Sequence, residues 1–265
     1  MANLLVKPKA TEGHVTHVTP ESAAWTYVGF DLYRLKPGEM VSAETGDREV
    51  CLVWISGRSS AEAGGTKFGS VGERQNPFDG PPWALYVPAG SNWSATAETD
   101  LELAVCSGPG GGDYQAKLIP PDTHPLEIRG KGANVRHVHN IMPETDGAAH
   151  SLLVVEVVTP SGNTSSYPSH KHDRDDLPNE SQLEETYYHR LNPPQGFAFQ
   201  RVYTDDRSLD EAMAVEDGDV VLVPKGYHPC ATIHGYDLYY LNVMAGPKRI
   251  WKFHNQKEHE WLLNL

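Results

Sequence analysis

Cysteine is scarce. Cys51, Cys106 and Cys230 are the only three in 265 residues, and they are scattered. That excludes a disulfide framework. Long hydrophobic runs are also missing. The longest, such as Leu152–Val158, are strand-sized, against the roughly 20 residues needed to cross a bilayer, so no membrane span is expected. The opening MANLLVKPKATEGH has no apolar core of a secretory signal, and a cytoplasmic location is expected. Positive charge is short: 22 Lys and Arg stand against 35 Asp and Glu, a formal net charge of −13. Phosphate backbones and anionic lipid repel such a chain, and no basic stripe offsets the excess, so nucleic acid is not an expected partner. Helical periodicity is rare as well. Asp206–Met213 predicts one short helix and His254–Leu265 a second.

What is abundant is turn formers, 24 glycines and 20 prolines. Between them lie short apolar runs: Tyr27–Leu35, Leu52–Ile55, Leu85–Pro88, Leu101–Cys106, Ser151–Val158, Thr186–Arg190, Gly196–Tyr203, Val220–Val223 and Tyr236–Val243. Regular short strands bounded by turn signals predict an all-β sandwich or barrel. The length allows two small domains, and the two halves are organised alike. Val87-Pro88-Ala89-Gly90 and Val223-Pro224-Lys225-Gly226 are each followed by a strand. Ser107–Gly112 and Pro120-Pro121 read as a connection. The expected division is a barrel over 1–120 and a second over 121–265.

The chemistry concentrates in the second half. His170 and His172, two apart on a strand, point to one face. Glu185 follows after an acidic insertion, Asp173–Glu184, and His228 closes the stretch Gly218–His228, GDVVLVPKGYH. Three imidazoles and a carboxylate suit a borderline divalent metal, one ion per chain. His137 and His139 form a second H-x-H pair without a following Glu or P-x-G-x-H turn; a strand start is the expected role there.

The order H-x-H, E, G-x5-P-x-G-x-H resembles the two motifs of the cupins, small metal-binding β-barrels. The 12-residue gap 173–184 is longer than usual and the spacing before His228 shorter. The first half keeps Pro88-Ala89-Gly90 without the H-x-H and closing His, so the resemblance implies a jelly-roll-like bicupin whose N-terminal barrel has no metal site. Glu184–His189 (EETYYH), Gly196–Asp210 and Tyr240–Gly246 further resemble the 5-deoxy-glucuronate isomerase family of myo-inositol catabolism, related to the ketol-isomerase of pectin breakdown. The resemblance implies metal-dependent isomerisation of 5-deoxy-D-glucuronate to 5-dehydro-2-deoxy-D-gluconate, with His170, His172, Glu185 and His228 as ligands to zinc or manganese. It also implies a small sugar-acid substrate and a homo-oligomer. Glu184 competes with Glu185 for the carboxylate role and is a candidate catalytic residue.

Such a reaction needs a proton acceptor and donor beside the carbonyl. Period-2 counting puts Tyr187 and His189 on the face of Glu185; Tyr187 is a candidate acid/base or an aromatic filler. The substrate carboxylate needs a cation, for which Arg201 and then Lys225 are candidates. Gln200 and Tyr240 are candidate hydroxyl contacts. The alternatives are an iron-dependent cupin dioxygenase and a non-catalytic sugar- or metal-binding cupin. The acid is concentrated: residues 173–219 hold 13 Asp and Glu against 4 Arg, and these carboxylates are expected to face solvent or a neighbouring subunit.

Overall fold

A computed structural model describes residues 3–264. The short apolar runs are strands, joined by turns in which glycine repeatedly takes positive φ. Two large antiparallel sheets each have a four-stranded companion. The first large sheet orders Lys117–Ile119, Ala84–Val87, Arg48–Ser56, Leu101–Pro109, Gly29–Leu35 and Gly13–Val18. The second orders Leu5–Val6, Val220–Val223, Glu184–Asn192, Asp237–Ala245, Leu153–Thr159, Arg136–Met142 and Glu127–Arg129. The smaller sheets hold strands from 40–97 and from 164–232. This is the all-β architecture expected. One detail differs: Leu5 and Val6, expected in the N-terminal barrel, pair with Val221 and Val220 of the second sheet.

Alternation explains why the large sheets are apolar on both faces. In Arg48–Ser56, Leu52 and Trp54 join a core with Ala95, Leu103 and the companion sheet. Cys51, Val53 and Ile55 point the other way, into a core shared with Val154, Tyr188 and Leu241 of the second sheet. The large sheets therefore pack face to face, and each has its own core behind it.

Two helix expectations are corrected. Asp206–Met213 is a turn followed by the strand Asp210–Glu216. Asp206 accepts hydrogen bonds from the Ser208 amide and hydroxyl and from the Thr204 hydroxyl, so local side-chain bonds replace the helical ones. Met213 and Val215 then alternate inward. In the C-terminal stretch, His254–Asn255 pair with His170–Lys171, and Lys257–Asn264 form a 3-10 helix; Leu265 lies outside the described residues.

Candidate metal centre

The strand Glu184–Asn192 is central in its sheet, between Val220–Val223 and Asp237–Ala245. Its alternation sends Glu185, Tyr187 and His189 into the barrel. His228 arrives from the turn after Val220–Val223. Gly226 (φ +91°) allows this turn: a Cβ there would lie 2.4 Å from Tyr203 O. His172 arrives from the strand edge pinned by the C-terminal segment.

These elements bring His172, Glu185 and His228 together, fully buried, with their ligand atoms within 4.8 Å of one another. Glu185 Oε2 lies 3.1 Å from His172 Nε2 and 3.3 Å from His228 Nε2. His170 stands just outside this trio, its ring centroid 4.9 Å from that of His228 and 4.7 Å from that of Phe253.

The polarity of the trio fits a cation. His228 Nδ1 lies 2.9 Å from Gly226 O and His172 Nδ1 3.2 Å from Leu183 O. A carbonyl only accepts, so each Nδ1 carries a proton; His228 Nε2 is then left with a lone pair, while His172 Nε2 hydrogen-bonds Glu185 Oε2. His228 Nε2 has no hydrogen-bond partner although it is buried. A buried carboxylate faced by an unpartnered ring nitrogen away from water calls for positive charge beside it, a proton on His172 or a metal ion. Burial pushes His228 down to about 4, with Glu185 opposing in part. Burial and the neighbouring His228 and His172 rings hold His170 well below its ordinary range. In His172 burial is outweighed by the bond to Glu185, and its proton affinity rises. The same demand for positive charge shows in that opposite shift.

A cavity of about 410 Å³ opens on His170 and Glu185. Tyr187, Tyr240 and Asn242 line one wall, and Trp251 and Phe253 another. Tyr187 bonds Ser166 Oγ at 2.9 Å, and its ring centroid is 4.9 Å from that of Tyr240. Burial, then the Glu185 charge, raises Tyr187 well above the ordinary phenol range. Gln200 is buried behind the cavity, against His189 Nε2 at 2.9 Å.

Three expected site residues lie elsewhere. Glu184 points away from Glu185, as period 2 demands, and its carboxylate accepts the amides of Thr26, Tyr27 and Val28 in the first half. Arg201 is exposed on the outer face of its strand and bidentate with Asp210 at 2.7 Å. Lys225 is exposed in the turn. The cavity's cations are instead Arg129 and Arg136. Period 2 signals Arg136: it and Val138 line the cavity, while His139 lies 3.2 Å from Glu156. A second cluster, His14, His17 and Asp31, is largely exposed on the first sheet.

The acidic insertion is a hairpin, and it does not wholly face solvent as expected. Asp173 and Glu180 clamp the buried Lys171 at 2.7 and 3.0 Å, and Asp173 accepts the Gly226 amide. Among the described residues no helix is long and apolar enough to cross a membrane.

Comparisons with known proteins agree over nearly the whole chain. A family model described as the KduI/IolB family matches residues 4–262. A 5-deoxy-glucuronate isomerase of Geobacillus kaustophilus is 56% identical, covering 95% of this chain and 91% of that protein. One of Bacillus licheniformis is 48% identical, covering 99% of each. The solved structure of an IolB-like protein from Salmonella typhimurium superposes with a TM-score of 0.97 at 54% identity, over 99% of this chain and 100% of that one. Bacillus subtilis oxalate decarboxylase, 14% identical with a TM-score of 0.67 over 100% of this chain and 82% of that one, shares the cupin fold. The curated relatives are thus isomerases by name, and the chain belongs to the KduI/IolB family.

Proposed function

We propose that this chain isomerises 5-deoxy-D-glucuronate to 5-dehydro-2-deoxy-D-gluconate at the cavity beside Glu185. The observation that carries it is the buried trio His172, Glu185 and His228, opening on a sugar-sized cavity in a chain 48–56% identical to proteins named for that reaction. Bicupin organisation, with the metal set confined to the second half, is part of the reading, as are a cytoplasmic location and a homo-oligomer.

The ligands are His172, Glu185 and His228, joined by His170 at the cavity wall, and the donor set suits zinc or manganese. A bound divalent ion supplies Lewis acidity to the substrate carbonyl. The protein's own groups do the rest. Moving a carbonyl between adjacent carbons requires a proton to leave one carbon and another to reach its neighbour. Tyr187 stays protonated at neutral pH, so it acts as a hydrogen donor to a substrate oxygen and not as the base. Ser166 holds its hydroxyl at the cavity wall. Tyr240 lines the same wall and orients substrate hydroxyls. Gln200 acts indirectly, by fixing the His189 ring behind Tyr187. Trp251 and Phe253 keep water from the reacting atoms.

The test is turnover of 5-deoxy-glucuronate by the purified protein beside His172→Ala. Activity in the wild type and its loss in the variant are expected; no turnover by the wild type contradicts the proposal.

A further inference from the structure

Arg136 is a cation lining the cavity without a carboxylate of its own. Among the described residues it forms no ion pair; Nη1 donates to Asn134 O at 3.0 Å and no other protein acceptor is met. The neighbouring cation, Arg129, is spoken for by Glu127 at 2.6 Å. Glu144 also lines the cavity, but its carboxylate accepts the Trp251 amide. Burial and then the Arg129 charge work against the charged form of Arg136, with Tyr240 opposing them. Arginine does not discharge under such pressure, so the free energy of the site falls when an anion arrives. The planar fork leaves N–H groups to meet a carboxylate edge-on.

We propose that Arg136 is the carboxylate anchor of the cavity, taking the acid end of a uronate whose carbonyl end lies at His170, His172, Glu185 and His228. The assignment rests on the isomerase reading and adds to it the source of substrate selectivity. A uronate carries its carbonyl and carboxylate at opposite ends of a six-carbon chain. Two unlike poles on one cavity fix which end goes where, and they select an acid over the neutral aldose of the same shape.

The experiment compares 5-deoxy-glucuronate with 5-deoxy-glucose, its neutral counterpart, on wild type, Arg136→Gln, Arg136→Lys and Arg201→Ala. Arg136→Gln should raise KM for the acid about 10- to 100-fold, the loss of a charged hydrogen-bonded contact, with kcat, metal content and neutral-sugar turnover little changed. Arg136→Lys should recover part of the loss, and Arg201→Ala should match wild type. An Arg136→Gln protein that keeps the wild-type preference for the acid overturns the assignment. If wild type turns over neither sugar, the isomerase reading fails and the anchor is judged by calorimetry with D-glucuronate. Tighter binding by wild type than by Arg136→Gln upholds it, and equal binding overturns it.

Discussion

At the scale of single residues, Tyr187 is the sharpest test of the cavity's chemistry. Removing its hydroxyl takes away one donor without disturbing the ring that packs on Tyr240. Tyr187→Phe should lower kcat about 10²- to 10³-fold with metal content unchanged, as read by steady-state kinetics and elemental analysis. The inward set was legible in the sequence because period 2 is strict along a flat central strand: Glu185 entails Tyr187 and His189. The same rule, applied one residue off, shows why Glu184 and Arg201 are not in the site. Each neighbours an inward residue, Glu185 or Gln200, and so faces the opposite way. Arg136 escaped because its strand was judged by its histidines, which are not the residues lining the cavity.

At the scale of elements, carboxylates join strands across the two halves. Glu184 accepts three consecutive amides at Thr26–Val28. Glu49, on the corresponding strand of the first sheet, accepts those of His150, Ser151 and Leu152. The two latches are reciprocal. Glu184→Ala would leave three amides without their acceptor, at about 1–3 kcal/mol for each one that water cannot reach. Only the Val28 amide is fully buried, so denaturant unfolding should register a loss of about 1–3 kcal/mol, while turnover per folded molecule stays near wild type. A selective loss of turnover would restore Glu184 as a catalytic group. Strand positions were readable from alternation and turn residues. The turn at Thr204–Leu209 was not, because DRSLDEAM carries helical spacing while Asp206 satisfies the local backbone. The Lys171 clamp was equally hidden. Nothing in the spacing of Asp173 and Glu180 says that they will fold back onto a buried lysine.

At the scale of the whole molecule, the two large sheets are ordered alike and are bound through a charged and apolar interface. Burial pushes the carboxyls of Glu102 and Glu156 up, but paired cations outweigh it and hold both below 4.5: Arg190 and Arg34 at Glu102, Arg74 and His139 at Glu156. A carboxyl depressed on folding stabilises above its unfolded value of about 4.5 and ceases to do so as pH falls through its folded value. Thermal stability should accordingly hold above about pH 5 and drop steeply below pH 4.5, and Glu156→Gln should flatten that drop. The arginine partners lie 68 to 88 positions away in the chain, so periodicity carries no trace of them.

In the proposed reaction His170, His172, Glu185 and His228 hold a divalent ion that the isomerisation needs. The direct measurement is turnover of 5-deoxy-glucuronate by protein stripped of metal, then resupplied with zinc or manganese, beside His172→Ala treated alike. Stripping should abolish activity, resupply should restore it to wild type alone, and elemental analysis should find about one ion per wild-type chain. Full activity in the stripped protein, or in His172→Ala, would contradict it.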